Sequence, residues 1–115
     1  MSDAPILQAV HVVDDYAAAD DFNKKHTPLI EVTGDGPKKM VSIQVGKDVP
    51  HPNEPGHWIV WIELAAGGNT IARFDLAPGV ADPAVGVWVT VDPGTELTAT
   101  EYCNLHGLFS YSVTV

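Results

Sequence analysis

The sequence predicts an all-β domain, and three observations carry that expectation. From Leu29 onward, apolar runs rich in Val, Ile and aromatic residues are separated by Gly, Pro, Asn and Asp. Several runs alternate strictly between apolar and polar residues, as a half-buried strand requires. Val41, Ile43 and Val45 alternate with Ser42 and Gln44, and Phe109, Tyr111, Val113 and Val115 with Ser110, Ser112 and Thr114. Third, 115 residues with 45% hydrophobic content suffice for one compact core without disulfides.

In chain order, the first 25 residues differ from the rest. Asp14 can cap a short helical turn through Tyr16 to Phe22, because Ala17, Ala18 and Ala19 favour helix. Strands are then expected at 29–32, 39–45, 57–64, 70–76, 86–91, 96–103 and 108–115. The run 57–64 is apolar on both faces, which places it centrally. Ala72, Phe74 and Leu76 alternate with Arg73 and Asp75. Gly67-Gly68-Asn69 and Asp92-Pro93-Gly94 read as hairpin turns. Seven short antiparallel strands after an irregular or helical N-terminal segment suggest an immunoglobulin-like sandwich or barrel, one domain over 1–115. Two loops interrupt the pattern: Gly46 to Gly56, with Pro50, Pro52 and Pro55, and Ala77 to Ala84, with Pro78 and Pro83. Proline stiffens such loops and suits them to hold side chains in fixed geometry.

The net charge of −9 argues against nucleic acid, whose binding needs basic patches. Five of the six basic residues, Lys24, Lys25, Lys38, Lys39 and Lys47, fall in one short stretch. Read alone, they make a solvated face. No run approaches the roughly 18 apolar residues of a membrane span. The first apolar stretch, Ile6 to Val13, follows Asp3 and contains Gln8 and His11, unlike a signal peptide. A single cysteine, Cys103, cannot form an internal disulfide. These features point to a reducing cytoplasm.

The histidines carry the chemistry. His26 precedes Thr27-Pro28, where the chain must be extended. His51 and His57 bracket the proline-rich loop, with His57 opening the central strand. Cys103 and His106 flank a tight turn ending at Gly107, which can adopt positive φ. Imidazole and thiolate suit a middle or late first-row transition metal rather than calcium or magnesium. Four histidines and a thiolate exceed the closed tetrahedron of structural zinc and suit five ligands with one open position. A lone histidine is more often a polar loop residue, and His11 is assigned to that class. Cys103 alone would more often be a small buried hydrophobe. The combination at element ends is what points to a metal.

His26-Thr27-Pro28, His51-Pro52, His57-Trp58-Ile59 with Trp61-Ile62-Glu63, and Tyr102-Cys103-Asn104-Leu105-His106-Gly107 together resemble the superoxide reductases. The resemblance is to the one-iron neelaredoxin form of the desulfoferrodoxin family and runs from about residue 22 to the C-terminus. It implies a seven-stranded immunoglobulin-like β-barrel. It implies one mononuclear iron, with His26, His51, His57 and His106 equatorial and Cys103 axial. Longer members carry a rubredoxin-like domain whose Cys-x-x-Cys pairs are absent here, so a single iron is expected. The implied reaction is one-electron reduction of superoxide to hydrogen peroxide, with rubredoxin or a similar donor restoring the iron, in a homo-oligomer. Lys25 matches the family lysine that attracts superoxide. The family's usual glutamate, a ligand of ferric iron, is replaced by Lys24, expected to stay charged in an exposed loop and point to solvent. Glu31 and Glu54 are the other carboxylates considered for that place.

Two rival readings remain. A cupredoxin-like electron carrier would need a methionine soon after the cysteine, but the only methionines are Met1 and Met40. A metal-free immunoglobulin-like binding module would treat the histidines as ordinary loop residues.

Overall fold

The computed structural model describes residues 9–115, so the start of the apolar stretch from Ile6 lies outside the described residues. All seven expected strands are present: β2 (Pro28–Thr33), β3 (Lys38–Val45), β4 (Ile59–Ala66), β5 (Asn69–Asp75), β6 (Ala84–Thr90), β7 (Glu96–Cys103) and β8 (Gly107–Thr114). They pair antiparallel in two sheets, with an added short strand, β1 (Val10–Val12), laid parallel to β8. The sheet orders are β1-β8-β7-β4-β5 and β2-β3-β6.

The alternation seen in the sequence becomes the core. Val41, Ile43 and Val45 of β3 face Ile62 and Leu64 of β4 and Leu97 and Ala99 of β7, all in one buried cluster. Burying one such aliphatic side chain stabilises by roughly 1.5–3 kcal/mol. β4 lies between β7 and β5. Its outer face carries Trp61, covered by the Arg73 guanidinium 4.6 Å from the ring centroid, and Glu63, which accepts from Arg73 at 3.1 Å. The Gly67-Gly68 turn joins β4 to β5 as expected, with both glycines at positive φ.

Three expectations change. Asp92-Pro93-Gly94 is not a hairpin, because β6 and β7 lie in different sheets and the turn carries the chain between them. The N-terminal helix, α1, spans Asp21–His26 rather than starting at Asp14. Asp20 caps it by accepting from Asn23 N at 2.9 Å, which wins over the alanine run. At its other end Thr27 is extended (ψ 124°) ahead of Pro28, as a residue before proline must be. Third, β4 begins at Ile59, not His57. His57 and Glu54 instead exchange backbone hydrogen bonds of 2.9 and 3.1 Å across Pro55-Gly56.

The lysines also separate. Lys38 sits at the start of β3 over the Trp88 ring and Lys39 donates to the Gly34 carbonyl. Lys47 lies beyond the other end of that strand and pairs with Glu31. Eight strand residues span roughly 26 Å, so these charges do not act together.

Gly46 begins the loop that bears His51. Its φ is +79°, and a Cβ there would lie 2.5 Å from His51 N. Gly46→Ala therefore combines left-handed strain with a backbone clash. It is expected to destabilise the protein by about 2 kcal/mol or more. Thermal unfolding should show a lower midpoint, and an unchanged midpoint would contradict this geometry.

Candidate metal centre

Three segments meet at one end of the sandwich. α1 delivers His26 from its last turn, the proline-rich loop delivers His51 and His57, and the β7–β8 turn delivers Cys103 and His106. The four imidazoles close a ring. Centroid separations are 4.8 Å for His26–His51, 4.7 Å for His51–His57, 5.3 Å for His57–His106 and 5.0 Å for His106–His26. Adjacent rings meet nearly edge to face.

The thiol sits to one side of this ring. Cys103 Sγ lies 3.5 Å from His51 Nε2 and 3.7 Å from His106 Nδ1, on opposite corners. Donor atoms of His26, His57, Cys103 and His106 all lie within 4.8 Å of one another. His51 falls outside that tightest group, but its ring contacts and its sulfur contact place it in the same cluster. Two donors at right angles on one first-row metal would be about 3 Å apart, so the set is close to closing on a single ion.

The atoms left without partners decide what the cluster is for. His26 Nε2 and His57 Nε2 are buried with no hydrogen-bond partner. Leaving such groups unpaired is costly unless something else binds them. The opposite nitrogens are tied down: His26 Nδ1 donates to the Phe22 carbonyl and His51 Nδ1 to the Pro52 carbonyl, both at 2.7 Å. Each bond fixes the tautomer and leaves Nε2 with its lone pair aimed into the cluster, as carbonyl partners behind metal-bound histidines do.

The electrostatics agree. Burial pushes His26 and His51 down to about 4, against the pull of their carbonyl partners. Burial also lowers His57, with neighbouring positive charge adding to the effect. At neutral pH these rings are uncharged and able to ligate. Burial pushes the Cys103 thiol up, while the N–H groups of Leu105 and His106 pull it down. A cation among the rings would reverse that balance and favour thiolate.

Surrounding residues hold the rings in place. Phe109, fully buried, stacks on His26 at 4.5 Å and 18°, and His11 stacks on Phe109 from outside at 4.7 Å. Phe22 packs edge-on to His106 at 5.1 Å. Asn104 locks the two loops together. Its Oδ1 accepts from Trp58 N at 2.9 Å and its Nδ2 donates to the Gly56 carbonyl at 3.0 Å. Asn53 joins the two proline-rich loops, accepting from Gly79 N at 2.8 Å and donating to the Ala81 carbonyl at 3.3 Å. Spacing does not reveal such partners, although Asn104 stands within the Cys-x-x-His turn itself.

The structure thus unites all five sequence-derived candidates, His26, His51, His57, Cys103 and His106. His11 stays apart on β1 as the second layer behind Phe109. Lys25 lies in the last turn of α1, and its charge reaches His26, His51 and His57. The segment is helical and half-buried rather than an exposed loop. Lys24 is half-buried, with its ammonium over the Tyr16 ring. Glu31 is engaged by Lys47, and Glu54 is exposed at its turn. A further carboxyl, Glu101, is fully buried without a partner two residues before Cys103, and burial holds it well above the usual carboxylate range.

A small β-sandwich with four imidazoles and one thiol gathered at one end has the donor set of a mixed nitrogen–sulfur metal site. Comparison with known proteins narrows that class. The Desulfoferrodoxin family model matches residues 18–112, and the chain belongs to that family. It is 34% identical to the superoxide reductase of Pyrococcus horikoshii over 99 residues, covering 78% of this chain and 86% of that protein. It is 44% identical to the desulfoferrodoxin of Nitratidesulfovibrio vulgaris over 89 residues, covering 77% of this chain but 63% of that longer protein. Its structure superposes on the superoxide reductase from Nanoarchaeum equitans with a TM-score of 0.78 at 31% identity, over 93% of this chain and 100% of that one.

Metal removal should expose the histidine energetics. His26 and His51 are depressed from 6.5 to about 4. Their contribution to stability is whole above pH 6.5 and is lost as the pH falls toward 4, because the unfolded chain takes up protons first. The thermal midpoint of the metal-free protein should fall through that window. A flat midpoint would show that the rings are solvated.

Proposed function

We propose that this chain is a superoxide reductase in which His26, His51, His57, His106 and Cys103 would together hold one iron. The observation that carries this reading is the closed ring of four imidazoles with the Cys103 sulfur against opposite corners. Five donors are one more than a closed tetrahedral zinc site takes, and a metal held by them would be one able also to take a substrate. Bound iron supplies the single electron that turns superoxide into peroxide. The names of the relatives support the same activity.

The chain's own residues have separable tasks. The Phe22 and Pro52 carbonyls hold His26 and His51 in the ligating tautomer. Cys103 contributes electron density from the buried side, a push also known from thiolate-ligated haems. Lys25 provides positive charge beside the rings in a protein of net charge −9, drawing an anion to one place. Asn104 keeps His57 and the Cys103–His106 turn in register. Lys24 stands where the family's usual glutamate would, so this segment would offer the metal no carboxylate. A small reductant of the rubredoxin type is the proposed donor, and a homo-oligomer the proposed assembly. The free thiol of Cys103 suits a reducing compartment such as the cytoplasm. No helix among the described residues is long and apolar enough to cross a membrane.

The test is anaerobic loading with ferrous iron, mild oxidation and optical spectroscopy, followed by reaction with superoxide. A blue thiolate-to-iron charge-transfer band and one peroxide formed per superoxide consumed are expected. Oxygen evolution with half that peroxide would mean dismutation instead. Copper retained in preference to iron would favour an electron carrier. Cys103→Ser should abolish reductase activity and the band together.

Lys25→Ala should slow the reaction more at low salt than at high salt, since exposed charges are screened within about 10 Å at 0.1 M. Equal rates of variant and parent at both salt levels would remove Lys25 from the mechanism.

A further inference from the structure

Helix α1 has six residues, far below the roughly 12 needed for a helix to persist alone. Its first turn is held by Asp20, and Thr27 Oγ1 donates back to the Asn23 carbonyl at 2.7 Å. Its last turn carries Lys24, Lys25 and His26. The Lys24 ammonium lies 5.7 Å from the centroid of the Tyr16 ring, within cation–π range. Tyr16 is itself half-buried and donates its hydroxyl to Asp48 Oδ2. Burial, with Asp48 beside it, raises Tyr16 to about 12, so the hydroxyl keeps its proton. Asp48 stands in the loop that bears His51. The run Lys24–Tyr16–Asp48 therefore bridges the segments that carry His26 and His51.

We infer that Tyr16 is a positioning residue: by pinning Lys24 to the His51 loop, it sets the direction in which Lys25 presents its charge to the metal centre. The inference rests on the superoxide-reductase reading of that centre. Successive side chains on a helix diverge by about 100°, so fixing Lys24 on one side fixes where Lys25 points. Lys25 is the lysine whose charge is felt at His26, His51 and His57. Without Tyr16 the short last turn loses its outer anchor, and the Lys25 charge is averaged over more positions. The ring supplies the seat and the hydroxyl holds the ring.

Tyr16 carries no charge, so replacing it leaves the formal charge of the protein unchanged. Any change in salt dependence then reports a displaced charge rather than a deleted one. The experiment measures the reaction of the full-length, iron-loaded protein with superoxide across ionic strength, with iron content and the charge-transfer band recorded for each variant. Tyr16→Leu is expected to lower the rate at low salt about two- to fivefold, with the rates converging at high salt as the field is screened. Its iron content and band should match the parent. Tyr16→Phe should show a smaller loss, and Lys24→Arg, which keeps a cation over the ring, should keep the parent's salt slope. A parental band and iron content in Tyr16→Leu with an unchanged or steeper slope would overturn this inference alone. Absence of the band from the parent protein would overturn the reading of the site and this inference with it. If Tyr16→Leu does not fold, Tyr16→Phe decides by the same slopes.

Discussion

Two imidazole nitrogens, His26 Nε2 and His57 Nε2, are buried in this protein with nothing to bond to. Much of the surrounding structure follows from holding them there. Burial keeps the rings neutral, and carbonyls on their far sides hold His26 and His51 in one tautomer. The unsatisfied atoms are the cost of a preorganised site, removed when a cation enters. A site of this kind needs a scaffold that will not relax to satisfy its own donors.

The scaffold supplies rigidity from two sources. The sandwich core fixes the ends of β7 and β8, and their tight turn aims Cys103 and His106 at one point. The proline-rich loop cannot join a sheet, so it is fixed by side chains instead. Asn104 grips it from the β7–β8 turn, and its own Asn53 ties it to Gly79 and Ala81 of the 77–84 loop. Donor side chains from three segments with few backbone bonds between them are thereby held as firmly as if they lay on adjacent strands.

Charge is distributed with the same economy. Lys38, Lys39 and Lys47 are each engaged locally and away from one another. Lys24 is occupied by Tyr16. Among the described residues, Lys25 is the lysine whose charge is felt at the rings of a strongly acidic molecule. A focused charge of this kind guides a small anion to one position, where a diffuse basic face would not.

The amino-acid sequence by itself determined the strands and the donor set. Alternation with period two marks β3, β5 and β8, because one face of each strand must leave water. The histidines and Cys103 stand out because their residue types and turn positions suit few roles besides metal binding. Their motifs are specific as a set, and so carried a family resemblance. Only the tertiary structure decided how the sheets are divided, since a turn such as Asp92-Pro93-Gly94 has the same composition whether it joins paired strands or crosses between sheets. Only it decided that α1 begins after Asp20, where a capping bond outweighs the helix propensity of three alanines. It likewise decided the partners of the lysines. Lys24 and Tyr16 are eight residues apart and Tyr16 and Asp48 thirty-two, and contacts of that range leave no periodic trace in a single chain. Local patterns record which side of an element is dry, whereas the identity of a neighbour depends on the path of the whole backbone.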